Sequence, residues 1–453
     1  MPSPSDELRT LARTVVDLAL KHGADVAEVS AGQGWDLSAK VRLGEVDLVE
    51  EAGHKGLSLR VRRDDRVAAS STSDLRAEGL ARCVENAIEL LELSEPDPDS
   101  RPAEVSELWK HSDEDLQLYD AALELFDTDR ATELARQAER AALDYDPRIV
   151  LSEGATFGRA LGESVLVLSN GFEGVRRGTQ ASLYVAPVVE DNGGKRRRGH
   201  YYSAHRYLAA LETPEKVGKA AAQRALDQLG ARSVPTCDAP VVFHPDTARS
   251  LVGTFAECIL GGALWRRSSY LFDRLGTTVA SPIVTFVDDP TRTAGFGSRY
   301  FDGEGLPSRI NTVVENGVYL SPLLDCTSAR KLRMKSTGSA SRQGAMISPS
   351  ISNFVMKTGT ESPESIIAGT KRGLYVTSLM GFGFNPVTGD FSRGASGFWI
   401  EDGRFAYPVS EVTISSNLDT MLKNIDVIGS DAEIKSSIVA PTFRISSMTI
   451  AGQ

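Results

Sequence analysis

The chain has 453 residues, 41% hydrophobic, 25% charged and 7% aromatic. That length exceeds one ordinary core, and that balance excludes a disordered or membrane-embedded chain, so two or more globular domains are expected. A formal net charge of −11 gives no support to broad binding of nucleic acid or of an anionic membrane surface.

The start, Met1 to Glu7, is polar and lacks the basic-then-apolar pattern of a secretory signal. No apolar run reaches the length of a membrane span. The four cysteines, Cys83, Cys237, Cys258 and Cys326, lie far apart and form no CxxC pair. Neither a zinc ribbon nor a disulfide scaffold is indicated, and a reducing cytoplasm is the expected compartment.

A first helix is predicted from an N-cap at Ser5, with Leu8, Leu11, Val15, Leu18 and Ala19 on one stripe and Gly23 ending it. Short strands follow over 25–30, 36–43 and 46–50, then 56–62 and 66–71 around the turn Arg63-Asp64-Asp65. A second helix starts near Thr72-Ser73-Asp74. The proline-broken run 95–102 reads as a linker. A helix over 129–143 leads into another strand-rich block. That block resembles the first, since each runs strand, polar turn, strand, helix, the last helix covering 214–229. The pattern hints at a duplicated unit, with Glu50–Gly53 matched to Gly171–Gly174.

From Ser233 the texture changes. A strand at 241–243 precedes a helix over 245–261, and strands dominate afterwards. Asn316-Gly317 and Asp402-Gly403 each sit between two strand patterns, a hairpin signal. The tail 443–450 is a further strand. The expected class is α+β: a strand-rich α/β N-terminal domain over 1–232, then a mostly β C-terminal domain over 233–453.

The six histidines form no HExxH. His200 and His205 face opposite sides if they share a strand. His244 precedes a proline at a helix start and is expected to shape it. No GxSxG elbow is present. Cys258 borders the apolar side of its helix and reads as a core residue. The basic run Gly193–Gly199 lacks the phosphate-loop arrangement and reads as a solvated hairpin tip. On the central helix, Ala248, Leu251, Val252, Phe255, Ile259 and Leu260 form a burying face, and Glu257 points away from it.

At this helix the sequence resembles the TldD/PmbA family, of the TldE (PmbA) type. The resemblance is carried by Leu264–Gly276, Ser328–Leu332, Lys335–Gly338, Gly389–Trp399, Tyr407–Ile414 and Ile450–Gln453. It is firm over 230–453 and one of layout before that. TldD-type chains of the family carry HExxxH here and a zinc-binding cysteine near the C-terminus. Their histidine positions fall on Ala256 and Gly261, their glutamate on Glu257, and the cysteine region, 436–443, contains none. Ala and Gly offer no lone pair, so the resemblance implies no cofactor and no catalytic residue in this chain.

It implies instead a non-catalytic subunit of a heteromeric metalloprotease. A TldD-like partner bearing HExxxH would hold the zinc, and unfolded peptides would be the substrate. Arg393, Gly394 and Ser396 are the expected substrate or partner loop. The competing assignment gives the glycines to a tight turn and pairs the arginine with an intrachain carboxylate. An autonomous hydrolase using Glu257 or Cys258, and a regulatory binding protein of gyrase-modulator type, are the alternative functions. The isolated chain is left open between monomer and homodimer.

Overall fold

The computed structural model describes residues 4–452. The N-terminal half runs α1 (Pro4–Lys21), β1 (Val26–Arg42), β2 (Glu45–Arg63), β3 (Arg66–Thr72), α2 (Ala77–Leu93), α3 (Thr128–Leu143), β4 (Ile149–Leu168), β5 (Glu173–Glu190), β6 (Arg196–Arg198), β7 (Tyr201–His205) and α4 (Pro214–Leu226). The C-terminal half continues with β8 (Cys237–Phe243), α5 (Pro245–Cys258), α6 (Gly261–Trp265), β9 (Phe286–Asp288), β10 (Asn311–Glu315), β11 (Val318–Tyr319), α7 (Cys326–Lys331), β12 (Ala340–Gln343), β13 (Met346–Pro349) and β14 (Phe354–Met356). It closes with α8 (Pro363–Ala368), β15 (Arg372–Met380), β16 (Asp390–Glu401), β17 (Arg404–Asn417), α9 (Leu418–Lys423), β18 (Ile425–Ile428), β19 (Ile438–Val439) and β20 (Phe443–Ala451). The expected α+β class holds.

The first seven strands form one sheet, ordered β3-β2-β1-β4-β5-β6, with β7 also on β5. It is two α-β-β-β-α units joined antiparallel at β1 and β4, where Gly34 faces Gly162. The hinted duplication is therefore real, but its register differs. Gly171 lies in the β4–β5 hairpin turn, whereas Glu50–Gly53 lies inside β2, whose own turn is at Leu43-Gly44.

Alternate residues of β1 bury under the helices. Val29 and Ala31 pack with α1 and α2, while Leu37, Ala39 and Val41 pack with α3 and α4. The period of two thus puts all four helices on one face. The opposite face carries Glu28, Ser30, Gly32, Gly34 and Asp36, and it turns toward the C-terminal half.

Several predicted boundaries move. Helix α1 already includes Pro4, so Ser5 lies in its first turn rather than at its cap. The strands expected at 46–50 and 56–62 are one strand, because β1 pairs continuously with β2 through Gly53–Gly56. Ladder hydrogen bonds override the local glycine signal there. Helix α2 starts at Ala77, after Asp74 has bent the chain by accepting from the Arg76 N–H.

In the C-terminal half, β8, β15, β16, β17 and β20 close into a barrel through the β17–β20 pairing. Helix α5 buries Phe255 against it and against Phe286, 4.9 Å between ring centres. Both hairpin signals are met. Asn316 and Gly317 have φ of 49° and 82°, Asp402 and Gly403 49° and 75°, as the tight primed turn requires.

The halves are joined by arginines. Arg330 donates to the carbonyls of Asp99 and Pro102, both at 2.8 Å, and to that of Arg101. The linker 95–102 is therefore docked rather than loose. The basic run is the tip of the β5–β6 hairpin and most of it is exposed, as its sequence suggested, while Arg197 donates to Ser410 Oγ at 3.1 Å and the exposed Lys195 and Glu411 pair at 2.9 Å. Glu28, 4% exposed, accepts from Arg60 at 3.0 Å and from Arg342 at 2.5 Å. Burial opposes its charge, but the two guanidinium groups outweigh it and hold the carboxyl below its usual range.

Arg342→Met should cost about 3 kcal/mol in chemical denaturation, because Glu28 loses the partner that crosses between the halves and stays buried. A loss under about 1 kcal/mol would show that this pair is dispensable.

Candidate functional site

Helix α5 is set by its own ends. Pro245 occupies its first turn and His244 is its N-cap, the Nδ1 accepting from the Asp246 N–H at 3.1 Å. His244 thus shapes the helix start, as its place in the sequence suggested. Burial holds the imidazole neutral, pushing its pKa from 6.5 to about 4, with the Asp246 carboxylate opposing.

The apolar face is buried as the spacing predicts: Ala248, Leu251, Val252, Phe255 and Ile259 are each at most 1% exposed. Leu260 is only half-buried. The helix ends at Cys258, short of the expected 261. Leu260 turns extended and Gly261 opens α6. The cause is competition for backbone groups. Leu323 donates to Ile259 O at 3.1 Å, and Gly261 donates to Leu323 O at 2.8 Å.

The positions that the sequence comparison singled out are packed with apolar and hydroxyl neighbours. Ala256 is buried in the core. A Cβ added at Gly261 would lie 2.3 Å from Ser328 Oγ and 2.6 Å from Leu324 Cδ2. The 436–443 region also reaches α5, where a Cβ on Gly253 would lie 3.0 Å from Ile438 Cδ1. An apolar residue and a hydroxyl thus fill the space beside Gly261, and Ile438 fills that beside Gly253. Glu257 is exposed on the far side. Zinc does not fit this donor set, and among the described residues no group of three or more His, Cys, Asp or Glu side chains is arranged to hold a metal ion.

The two candidate thiols, Cys258 and Cys326, are buried. Burial, then the nearby Glu257 charge, pushes Cys258 up to about 12, and burial raises Cys326 as well. The segment expected as a functional loop is strand β16. Arg393 and Gly394 pair with Ile414 and Thr413 of β17, and Ser396 pairs with Ser378 of β15. Arg393 Nη1 donates to Ser250 Oγ of α5 at 2.9 Å, so its partner is a hydroxyl and not a carboxylate. Neither glycine near it makes a tight turn. Gly397 is needed because a Cβ would fall 1.8 Å from Tyr375 O.

Sequence reasoning missed a second feature. A cleft of about 690 Å³ separates the helix-free sheet face from the loop around Ser298–Tyr300. Arg176, Arg177, Arg206 and Arg299 line it. They come from three distant segments, the adjacent Arg176 and Arg177 of β5, Arg206 after β7 and Arg299 in a loop of the C-terminal half, so no spacing announces the set.

Three family models tile the chain: the PmbA/TldA metallopeptidase domain 1 over 27–91, the central domain over 122–229 and the C-terminal domain over 236–452. A relative described as Metalloprotease PmbA, from Escherichia coli O157:H7, is 36% identical over 446 residues, 98% of this chain and 96% of its own. Two solved structures superpose along the chain. One, described as a putative modulator of DNA gyrase from Bacteroides thetaiotaomicron, has a TM-score of 0.93 at 29% identity and full coverage of both chains. The other, TldE from Thermococcus kodakarensis, has a TM-score of 0.86 at 21% identity, covering 98% of this chain and all of that one, and shares the fold. A barrel-borne central helix under a duplicated helix-and-sheet layer is thus the build of a metallopeptidase-type chain. This chain belongs to the PmbA/TldD metallopeptidase family.

Gly261→Ala should destabilise by about 1–3 kcal/mol, because its methyl must displace Ser328 and Leu324; an unchanged denaturation midpoint would contradict the packing described. The folded pKa of His244 lies below its unfolded value, so the unfolded chain binds more protons in between. Its contribution is full above about pH 6.5 and is lost, by roughly 2–3 kcal/mol, as pH falls toward 4. His244→Asn keeps a cap acceptor and should flatten this slope in denaturation curves taken from pH 7 to 4.

Proposed function

We propose that this chain is the zinc-less subunit of a heteromeric TldD/TldE-type metalloprotease that cleaves unfolded peptides. The observation that carries the reading is the closed space along α5 and at the start of α6. At Gly261 even a Cβ would meet Ser328 Oγ at 2.3 Å, and Ile438 stands over the helix where the family's tail ligand is expected. A metallopeptidase relative with those positions filled has a structural task, and the metal then belongs to a TldD-like HExxxH partner.

The other hydrolytic routes have weak support. Glu257 is solvent-facing with no metal ligand beside it, and Cys258 stays a thiol at neutral pH. All four cysteines are free, which suits a reducing cytoplasm. No helix among the described residues is long and apolar enough to cross a membrane. The role of this chain is to complete the enclosure around the partner's site and to present surface to the peptide.

The test is co-expression with a TldD-like chain, followed by metal analysis and cleavage of an unstructured peptide. The expected outcome is no zinc and no cleavage by this chain alone, and cleavage by the co-purified pair that survives Glu257→Gln here. Stoichiometric zinc and hydrolysis by this chain alone would overturn the reading.

A further inference from the structure

The cleft under the sheet has a purpose that the packing of α5 does not explain. Its floor is backbone. Gly162 and Gly178 lie there side by side on β4 and β5, and a Cβ on Gly162 would meet nothing within 4 Å. Asp36, His54 and Asp115 line it together with the arginines.

Three of these arginines are engaged. Arg206 donates to the carbonyls of Gly295 at 2.9 Å and Phe296 at 2.7 Å. Arg177 pairs with Glu124 and covers the Tyr119 ring. Arg176 donates to the carbonyls of Phe301 at 2.6 Å and Asp302 at 2.7 Å, and lies 4.5 Å over the Phe301 ring. Gly174 permits that stack, since a Cβ there would fall 2.4 Å from the ring.

Arg299 differs. Its backbone N–H binds Pro290 O, but no hydrogen bond or ion pair reaches its guanidinium among the described residues. Its Nε is closed to solvent without a partner, and so is that of Arg176. The nearby acids are occupied. Asp302 accepts from the N–H groups of Glu304, Leu306 and Ala340, and Asp288 accepts from the N–H and hydroxyl of Ser352. Their charges support the Arg299 guanidinium against burial, but their oxygens are given to these other donors and none bonds Arg299. Neither Nε can be reached from the cleft, so the donors open to a ligand are the Arg299 Nη groups, which no described acceptor engages. A guanidinium fork suits a carboxylate above all.

We propose that this cleft is a carboxylate-binding site, in which Arg299, backed by Arg176, holds the anionic group of a peptide laid along the glycine floor. That the ligand is a peptide rests on the function proposed above; that it bears a carboxylate rests on the cleft alone.

The test is fluorescence polarisation of labelled, N-acetylated alanine-rich pentapeptides on the full chain, at fixed salt. One peptide ends in a free carboxylate, one in an amide, and one in an amide with an internal glutamate; free glutarate is the competitor. At least one carboxylate form should bind about tenfold or more tighter than the neutral amide, and which one does so identifies a chain terminus or an acidic side chain as the source. Arg299→Gln should remove that preference, and Gly162→Leu, which has room for its Cβ, should weaken every peptide without shifting thermal unfolding. Equal binding of acid and amide forms by the wild-type chain would overturn the site, as would a preference that survives Arg299→Gln. Binding of glutarate without any peptide would uphold the carboxylate site and count against the peptide reading.

Discussion

Backbone carbonyls that no strand or helix satisfies hold this molecule together, because arginines of the opposite half cap them. Arg330 caps the proline-rich linker, Arg206 and Arg176 cap the 295–302 segment, and Arg342 bonds both Gly303 O and Glu28. A charged donor on a buried carbonyl is stronger than a neutral one, and removing it strands the acceptor. The helix-free face of the sheet is therefore held at a defined distance from the barrel half, and the cleft exists because of that spacing.

The central helix of this metallopeptidase-family chain is packed closely along its length. Ala256 joins the core, Ser328 and Leu324 occupy the space above Gly261, and Ile438 of the tail leans on Gly253. Each replacement is small or apolar, so the helix, tail and barrel keep close packing without a cation between them. Close packing of this kind tolerates no added methyl without displacement, which makes the arrangement a stable alternative to a metal site.

Local patterns were legible where one segment suffices. The hairpins at Asn316-Gly317 and Asp402-Gly403, the cap at His244 and the buried face of α5 all follow from short-range chemistry. The misreadings arise where distant strands compete. The β1–β2 ladder runs through Gly53–Gly56, Leu323 captures the backbone beyond Ile259, and β15 and β17 make a strand of the segment bearing Arg393. In each case backbone hydrogen bonds to a remote partner outweigh local propensity.

By itself the sequence determined the α+β class, the family likeness of the C-terminal half and the presence of Ala and Gly, which have no ligating group, at positions 256 and 261, since residue identity and short-range periodicity suffice for these. Tertiary structure alone decided that Gly261 is sterically closed, that the linker is docked, and that Arg176, Arg206 and Arg299 converge on one cleft. The reason is that these features depend on contacts between residues far apart in the chain, and no local spacing encodes such a distance.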